Sequence, residues 1–303
     1  MSWNIYGKSY DLTEFINEHP GGSFILESTK NHHDITSLFE SYHAFHKDID
    51  SIKKILDKYE IKQSNTSIQK YDYTKYRELV KLVKEKFPNR NHIKMNGLGI
   101  SVNFILLFGY LYLIYFLIIT NLNLYFKLPI VFFAGIIDSA LLSFNLTHEG
   151  SHNAISTNPR INRLLFKISS SFHLWNYKIW NQHHVIQHHS DTGSTYDPDN
   201  ELYDFKYKYL SFFAMMFFPG QDFGQMLYYI GGVYKTAFKN NYDNLDLFIM
   251  ALKICFFYFI GFWATITHLI STNICYFTNV FPNHSLYETF TSFFKYTNYK
   301  KLN

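Results

Sequence analysis

The chain lacks several features that define common classes of protein. Only two of its 303 residues are cysteines, Cys255 and Cys275, and both lie in apolar surroundings, so the sequence does not predict a disulfide framework. The net charge of +4 comes without a block of basic residues, and we therefore expect no nucleic-acid partner. The first residues, Met1–Ile5, have no apolar core of the kind found in signal peptides.

Apolar residues are unevenly distributed along the chain. Residues 1–96 are polar and charged, whereas most of the long apolar runs follow Gly97. Aromatic residues make up 20% of the chain, and such side chains favour membrane interfaces. The segment Met95–Phe126 contains no charged residue and is long enough for the roughly 20 apolar residues of a membrane span. A second span is predicted from about Leu128 to Leu146, after a turn too short to hold a domain.

The two predicted spans form a hairpin, which returns the chain to the side of the membrane that it left. Basic residues precede the first span, whereas the hairpin turn carries only Lys127. Because positively charged flanks stay in the cytosol, both the amino-terminal region and the residues from His148 onward are predicted to face it. Asp138 is the one ionisable group inside the second span. We expect it to act in a second shell or in a channel, with helix packing as the alternative.

Histidines are concentrated in two segments after the second predicted span. His148 and His152 are four residues apart, as are His184 and His188, so on a helix each pair would present two rings on one face. His189 would reach another coordination position. Catalytic zinc typically uses about three protein ligands, and imidazole also suits iron, so five histidines indicate two metal ions. The alternative is a polar patch at the membrane interface.

A turn in the first sixty residues carries another histidine. His19 is followed by Pro20-Gly21-Gly22, and His43 follows further along the chain. This segment resembles a cytochrome b5 haem domain, trimmed before Trp3. The resemblance implies that His19 and His43 are the axial ligands of haem b, with His46 as the rival for the second position. Iron with both axial positions filled by protein serves electron transfer.

A connector separates this segment from the first predicted span. Gln63–Ser67 is typical of a flexible linker, and an apolar stripe on the following basic helix indicates a helix on the membrane surface or an ordinary connector. The predicted domains are therefore a haem domain at residues 1–62, a linker with an amphipathic helix at 63–96 and a membrane domain at 97–303.

Three motifs after the second span resemble those of the membrane fatty acid desaturases. They are His148-Glu149-Gly150-Ser151-His152, His184-Val185-Ile186-Gln187-His188-His189 and Tyr196-Asp197-Pro198-Asp199. A haem domain at the amino terminus makes the chain similar to the front-end class, with a Δ5 activity favoured over Δ6. The resemblance implies a small α+β haem domain followed by an all-α membrane domain, with one or two further spans. Five residues are implied as ligands of two non-haem irons, namely His148, His152, His184, His188 and His189.

The resemblance also implies the chemistry and the setting. Removing hydrogen from an unactivated CH₂ group requires iron and O₂, and the tethered haem domain would supply electrons at high effective concentration. We expect a fatty acyl substrate, an NADH-dependent cytochrome b5 reductase as electron source, and a multi-pass protein in the bilayer of the endoplasmic reticulum. Asp197 and Asp199, like Asp138, are candidate second-shell or channel residues.

One motif of that family is missing from the sequence. No third box, Gln or His followed by xxHH, occurs after His189, and His268 and His284 each stand alone. The resemblance therefore predicts a chain that stops before its last span and third box. Two alternatives stay open: a catalytically dead, membrane-anchored haem electron carrier, and a zinc membrane protease, because His148–His152 also satisfies HExxH.

Overall fold

The computed structural model describes residues 2–46, 49–61, 73–192, 197 and 243–294, with the backbone alone at Arg90 and at 280–294. Asp199 and the predicted linker at Gln63–Ser67 lie outside the described residues. The chain divides into two compact units. The first holds the described residues of Met1–Ile100, His148–Lys167 and Asn176–Asn200, and the second holds those of Ser101–Thr147, Ile168–Trp175 and Glu201–Asn303. Both histidine segments therefore belong to the same unit as the amino-terminal region.

The first unit begins with a small α+β domain. Strands β1 (Trp3–Ile5) and β2 (Lys8–Tyr10) pair antiparallel, with Trp3 opposite Tyr10. Three short helices follow: α1 (Ser23–Ser28), α2 (Thr36–His43) and α3 (Ile49–Asp57). The inward residues of the hairpin, among them Trp3 and Ile5, pack with apolar residues of these helices into one core. Burial of such side chains contributes roughly 1.5–3 kcal/mol each.

The core of this domain extends to the second histidine segment. Val185 and Ile186 are almost fully buried and pack in the same cluster as Trp3, Ile5 and Phe39. The two residues lie between His184 and His188, so the backbone that carries these histidines is attached to the amino-terminal domain by apolar contacts. Loss of one such buried aliphatic side chain typically costs about 2–5 kcal/mol.

The predicted amphipathic helix is present as α4 (Thr74–Lys86), and Phe87 follows its end. Its Arg77 donates a hydrogen bond of 2.5 Å to the buried Glu40 of α2, which joins this helix to the amino-terminal domain. Leu79 on the apolar stripe is 58% exposed. A helix with exposed leucines is compatible with the predicted location on a membrane surface.

The second unit contains the two long apolar helices. Helix α5 covers Gly97–Ile119, and α6 covers Leu124–Asp138 and continues as a π-helical segment, Ser139–His148. Two helical stretches, Asn91–Ile119 and Leu124–Ser151, are long and apolar enough to cross a membrane, with mean hydropathies of 2.3 and 1.7. The predicted hairpin of apolar helices is therefore present, with the turn between Ile119 and Leu124.

The remaining helices complete the described chain. In chain order they are α7 (Glu149–Ser151), α8 (Pro159–Phe172), α9 (Tyr177–Trp180), a second π-helical segment (Asn181–His188), α10 (His189–Asp191), α11 (Asn244–Ile260) and α12 (Phe262–Phe294). Asp243 begins α11 with a capping box, since its side chain accepts from the backbone of Asp246 and that of Asp246 accepts from the backbone of Asp243. The long uncharged run at Ile254–Phe281 is divided between α11 and α12 at Gly261.

Candidate metal centre

The first histidine pair lies where the π-helical segment Ser139–His148 passes into the short helix α7. The backbone N–H of His152 donates to the carbonyl of His148 at 3.2 Å, and the two ring centroids are 4.7 Å apart. Gly150 lies between the two histidines, against α8. A Cβ there would lie 3.1 Å from the Cβ of Phe166 and 3.2 Å from the carbonyl oxygen of Asn162, so the close approach to α8 favours glycine.

The second histidine group is positioned by a capped helix. The side chain of Asn176 accepts hydrogen bonds from the backbone N–H groups of Lys178 and Ile179 and begins α9. The chain then widens into the π-helical segment Asn181–His188, and the Trp180 ring stacks on His184 with centroids 4.7 Å apart. The spacing predicted α-helical pairs, whereas His148, His184 and His188 lie within π-helical segments. Such turns are rare and are frequent at functional sites.

The structure brings all five predicted ligands together. The Nε2 atom of His184 lies 3.3 Å from Nε2 of His152 and 3.2 Å from Nε2 of His189. Two nitrogen ligands at about 2.1 Å from one ion lie roughly 3.0–3.4 Å apart, so these separations fit a shared metal. The ring of His148 is 5.1 Å from that of His184, and the ring of His188 is 5.1 Å from that of His189.

Burial keeps two rings of this cluster, His152 and His184, uncharged. Burial, reinforced by neighbouring histidines, lowers the pKa of His152 to about 3 and lowers the pKa of His184 further below its usual range. Metal binding requires the neutral ring with a free lone pair. Two rings of the cluster are also oriented by carboxylates: Nδ1 of His188 donates to Asp197 at 2.9 Å, and Nδ1 of His148 donates to Glu149 at 3.0 Å. Such outer contacts fix ring orientation and raise ligand basicity.

The second predicted site pairs His19 and His43 in the amino-terminal domain. Their ring centroids are 6.3 Å apart with an angle of 73° between the planes. Nδ1 of His19 donates to the carbonyl of Gly22 at 3.1 Å, and Nδ1 of His43 donates to the carbonyl of Phe39 at 2.7 Å. Both contacts leave Nε2 as the unprotonated nitrogen, and burial lowers the pKa of His43. The pair therefore fits two axial ligands of a haem.

Asp138 takes part in a buried polar network of the second unit. Its carboxylate bonds to Lys253 of α11, and it lies 3.4 Å from Nε2 of His268 and 3.9 Å from Nε2 of His173. The hydroxyl of Tyr110 is 3.4 Å from the Lys253 ammonium. All of these side chains are buried. The sequence did not predict the partners of Asp138, because Lys253 is 115 residues away.

Comparison with known proteins identifies the family. A family model described as fatty acid desaturase matches residues 122–293. The chain belongs to the fatty acid desaturase family. A second model, described as cytochrome b5-like heme/steroid binding domain, matches residues 2–64 of this chain. The predicted fold class, an α+β cytochrome b5-like domain followed by an all-α desaturase domain, is thereby confirmed.

The matched relatives include proteins named as fatty acid desaturases and proteins named as cytochrome b5-related. A probable Delta(5) fatty acid desaturase C of Dictyostelium discoideum is 32% identical over 206 residues, which cover 65% of this chain and 43% of the relative. An acyl-lipid (8-3)-desaturase B of the same organism is 27% identical over 64% of this chain and 42% of its own length. A cytochrome b5-related protein of Drosophila virilis is 39% identical over 62 residues, 20% of this chain and 40% of the relative. The chain spans less than half the length of either Dictyostelium relative. No solved structure matches it.

Proposed function

We propose that this protein catalyses the O₂-dependent desaturation of a polyunsaturated fatty acyl chain. The observation that carries the proposal is the cluster of His148, His152, His184, His188 and His189, five imidazole rings in one place. A Δ5 position is favoured over Δ6, since the matched relatives include proteins named as Delta(5) and acyl-lipid (8-3) desaturases.

The five histidines would hold two non-haem irons. Bound iron supplies the oxidising power that takes hydrogen from an unactivated CH₂ group with O₂. The protein contributes the ligand geometry: Asp197 orients His188, Glu149 orients His148, and burial keeps His152 and His184 neutral. We assign Asp138 a role in the packing of the membrane helices, because its carboxylate is already paired with Lys253 of α11.

Electrons would reach this centre from the haem domain, with haem b between His19 and His43 and an NADH-dependent cytochrome b5 reductase as source. Direct packing supports this part of the proposal. Phe24, just after the His19 turn, stacks on Tyr177 of α9 with centroids 5.6 Å apart and an angle of 28°. One helical turn later, Trp180 stacks on His184. The haem turn and the second histidine group are thus joined by aromatic contacts within one unit.

The proposed setting is the membrane of the endoplasmic reticulum, with the haem domain and the histidines on the cytosolic side. The two long apolar helices support a membrane location. The basic residues before the first helix support the orientation. An acyl chain in the bilayer would then approach the histidines from the apolar helices that precede them.

Zinc proteolysis is the weaker alternative. In a zinc protease with the HExxH motif, the glutamate activates water. Here the Glu149 carboxylate is engaged by Nδ1 of His148 at 3.0 Å. Three further histidines surround the motif, so the site offers five rings. That is more than the about three protein ligands of a catalytic zinc.

The decisive experiment measures non-haem iron, zinc and haem per chain in the detergent-purified protein, followed by product analysis in cells fed polyunsaturated acids. About two non-haem irons and a new double bond, both lost with His184→Ala while the single haem is kept, would support the proposal. All three should persist with the exposed control His92→Ala. Haem without non-haem iron, with an effect that depends on His19 but not on His184, would establish the electron carrier instead. Zinc in place of iron, with proteolysis abolished by Glu149→Gln, would establish the protease.

A further inference from the structure

A second group of potential metal ligands lies outside the histidine cluster. It consists of His32 and His33, in the loop before α2, and Asp191, at the end of α10. The ligand atoms of the three residues all lie within 4.8 Å of one another. The loop belongs to the amino-terminal domain, whereas Asp191 follows the second histidine group by two residues. The three residues therefore join the two parts of the first unit.

The geometry directs one ring to each carboxylate oxygen. Nε2 of His33 is 3.0 Å from Oδ1 of Asp191, and Nε2 of His32 is 3.6 Å from Oδ2. The two rings are nearly parallel, with centroids 4.5 Å apart and an angle of 31°. Nitrogen and oxygen ligands about 2.0–2.2 Å from a tetrahedral zinc ion lie roughly 3.3–3.5 Å apart. The observed separations bracket that range.

The hydrogen bonding of His32 requires a cation in this position. Nδ1 of His32 contacts the backbone carbonyl of Asp34 at 2.8 Å, and because a carbonyl only accepts, Nδ1 carries the hydrogen. In the neutral ring Nε2 is then a bare lone pair that faces a carboxylate oxygen. Two acceptors face each other stably only if a proton or a metal ion lies between them. A histidine that donates Nδ1–H to a backbone carbonyl and offers Nε2 is also the usual arrangement of a metal ligand.

The surroundings leave room for an ion and its water. The three residues border a cavity of ≈ 390 Å³ that is also lined by the amides of Gln182 and Gln187 and by Lys30. Side chains of His32 and Asp191 are only 9% and 5% exposed, whereas that of His33 is 48% exposed. An ion could therefore enter from the His33 side and take water or an amide oxygen as its fourth ligand.

We propose that His32, His33 and Asp191 bind one Zn²⁺ ion, which holds the haem domain against the segment that follows the second histidine group. This site is separate from the proposed di-iron centre and does not depend on desaturase activity. Its role is one of positioning: the ion would fix the domain that delivers electrons next to the residues that receive them.

The test is a titration of the chelator-stripped, detergent-purified full chain with Zn²⁺ alone, with bound zinc counted by elemental analysis after dialysis. His33→Ala is the primary variant, because its exposed side chain can be removed with little risk to folding. Asp191→Asn keeps the shape and removes the charge. Each is expected to lose one zinc equivalent, or to weaken its binding by more than the roughly 10–100-fold that removal of an outer-shell partner causes. The exposed His92→Ala is the matched control and should keep every equivalent.

The same titration in a His184→Ala background separates this site from the histidine cluster. The equivalent assigned to His32, His33 and Asp191 should persist there, and should disappear when His33→Ala is added. The proposal is overturned if His33→Ala binds as much zinc as wild type with a dissociation constant within twofold. It is also overturned if Asp191→Asn retains the ion with unchanged affinity, which would exclude the carboxylate as a ligand, or if wild type in the His184→Ala background binds no zinc, which would leave the two histidines held to Asp191 by a proton alone.

Discussion

Gly21→Ala is expected to weaken haem binding to the amino-terminal domain. A Cβ at this position would lie 2.8 Å from Cε1 and 3.2 Å from Nδ1 of His19. The first separation is too short for carbon atoms, so the ring must rotate away. Rotation breaks the 3.1 Å contact of Nδ1 with the carbonyl of Gly22 and moves Nε2 from its position opposite His43. The effect acts on ligand geometry and leaves the core of the domain unchanged.

The expected loss of haem affinity is the sum of two costs, that of the rotated side chain and that of the broken hydrogen bond. A side chain about 30° off its rotamer costs roughly 0.5–1.5 kcal/mol, and the lost hydrogen bond costs about the same. A total of about 1–3 kcal/mol raises the dissociation constant of haem roughly 5- to 150-fold.

The assay is transfer of haem to excess apomyoglobin, followed by absorbance, on the purified full chain. Gly97→Ala is the matched control, because a Cβ there meets no atom within 4 Å. Equal transfer rates for Gly21→Ala and Gly97→Ala would refute the reasoning, since the glycine would then not be required by the His19 ring.

Three further predictions concern other parts of the molecule. Asp197→Asn should lower iron affinity about 10–100-fold, because the ring of His188 loses its carboxylate partner, as an iron titration would show. Lys253→Met should destabilise the protein in detergent by about 3–5 kcal/mol, since Asp138 is left buried without its cation. The metal-free protein should lose stability as pH falls from about 6.5 towards 3, because His152 is protonated when unfolded but neutral when folded. Thermal unfolding at several pH values measures that loss.

Each of these predictions has its own control. Asp197→Asn should leave the haem content unchanged. An unchanged iron affinity in this variant would exclude Asp197 as the group that orients His188. Adding Asp138→Leu to Lys253→Met should recover most of the lost stability, whereas an additive loss would contradict the ion pair. His152→Gln should flatten the pH dependence by up to about 1.4 kcal/mol per pH unit, the value for one proton. An unchanged slope would show that another group is responsible.

The sequence predicted the clustering of the histidines better than the backbone that presents them. Residues four apart in a helix face the same side, and this rule was enough to group His148 with His152 and His184 with His188. The π-helical segments that contain His148, His184 and His188 were not predicted, since side-chain identity carries little information on whether a turn contains an extra residue. The order of apolar helices was predicted as well, because length and hydropathy are local properties.

Contacts between distant parts of the chain escaped prediction. Asp138 was recognised as unusual, but Lys253 and His268 could not be assigned to it without the packing of the helices. The pairing of His33 with Asp191 was missed for the same reason. A single sequence gives the chemistry of each side chain, whereas its partner depends on the tertiary fold.

The apolar core shared by Trp3, Ile5, Val185 and Ile186 makes the haem domain and the second histidine group one thermodynamic system. A ligand that binds only the folded form stabilises everything that unfolds with it, by RT ln(1 + [L]/Kd). Haem at 100 times its dissociation constant would thus add about 2.7 kcal/mol to the stability of the backbone that carries His184 and His188. By the same linkage, metal at the histidines would tighten the hold on haem. Loading of either cofactor therefore reports on the other, even without a single electron passing between them.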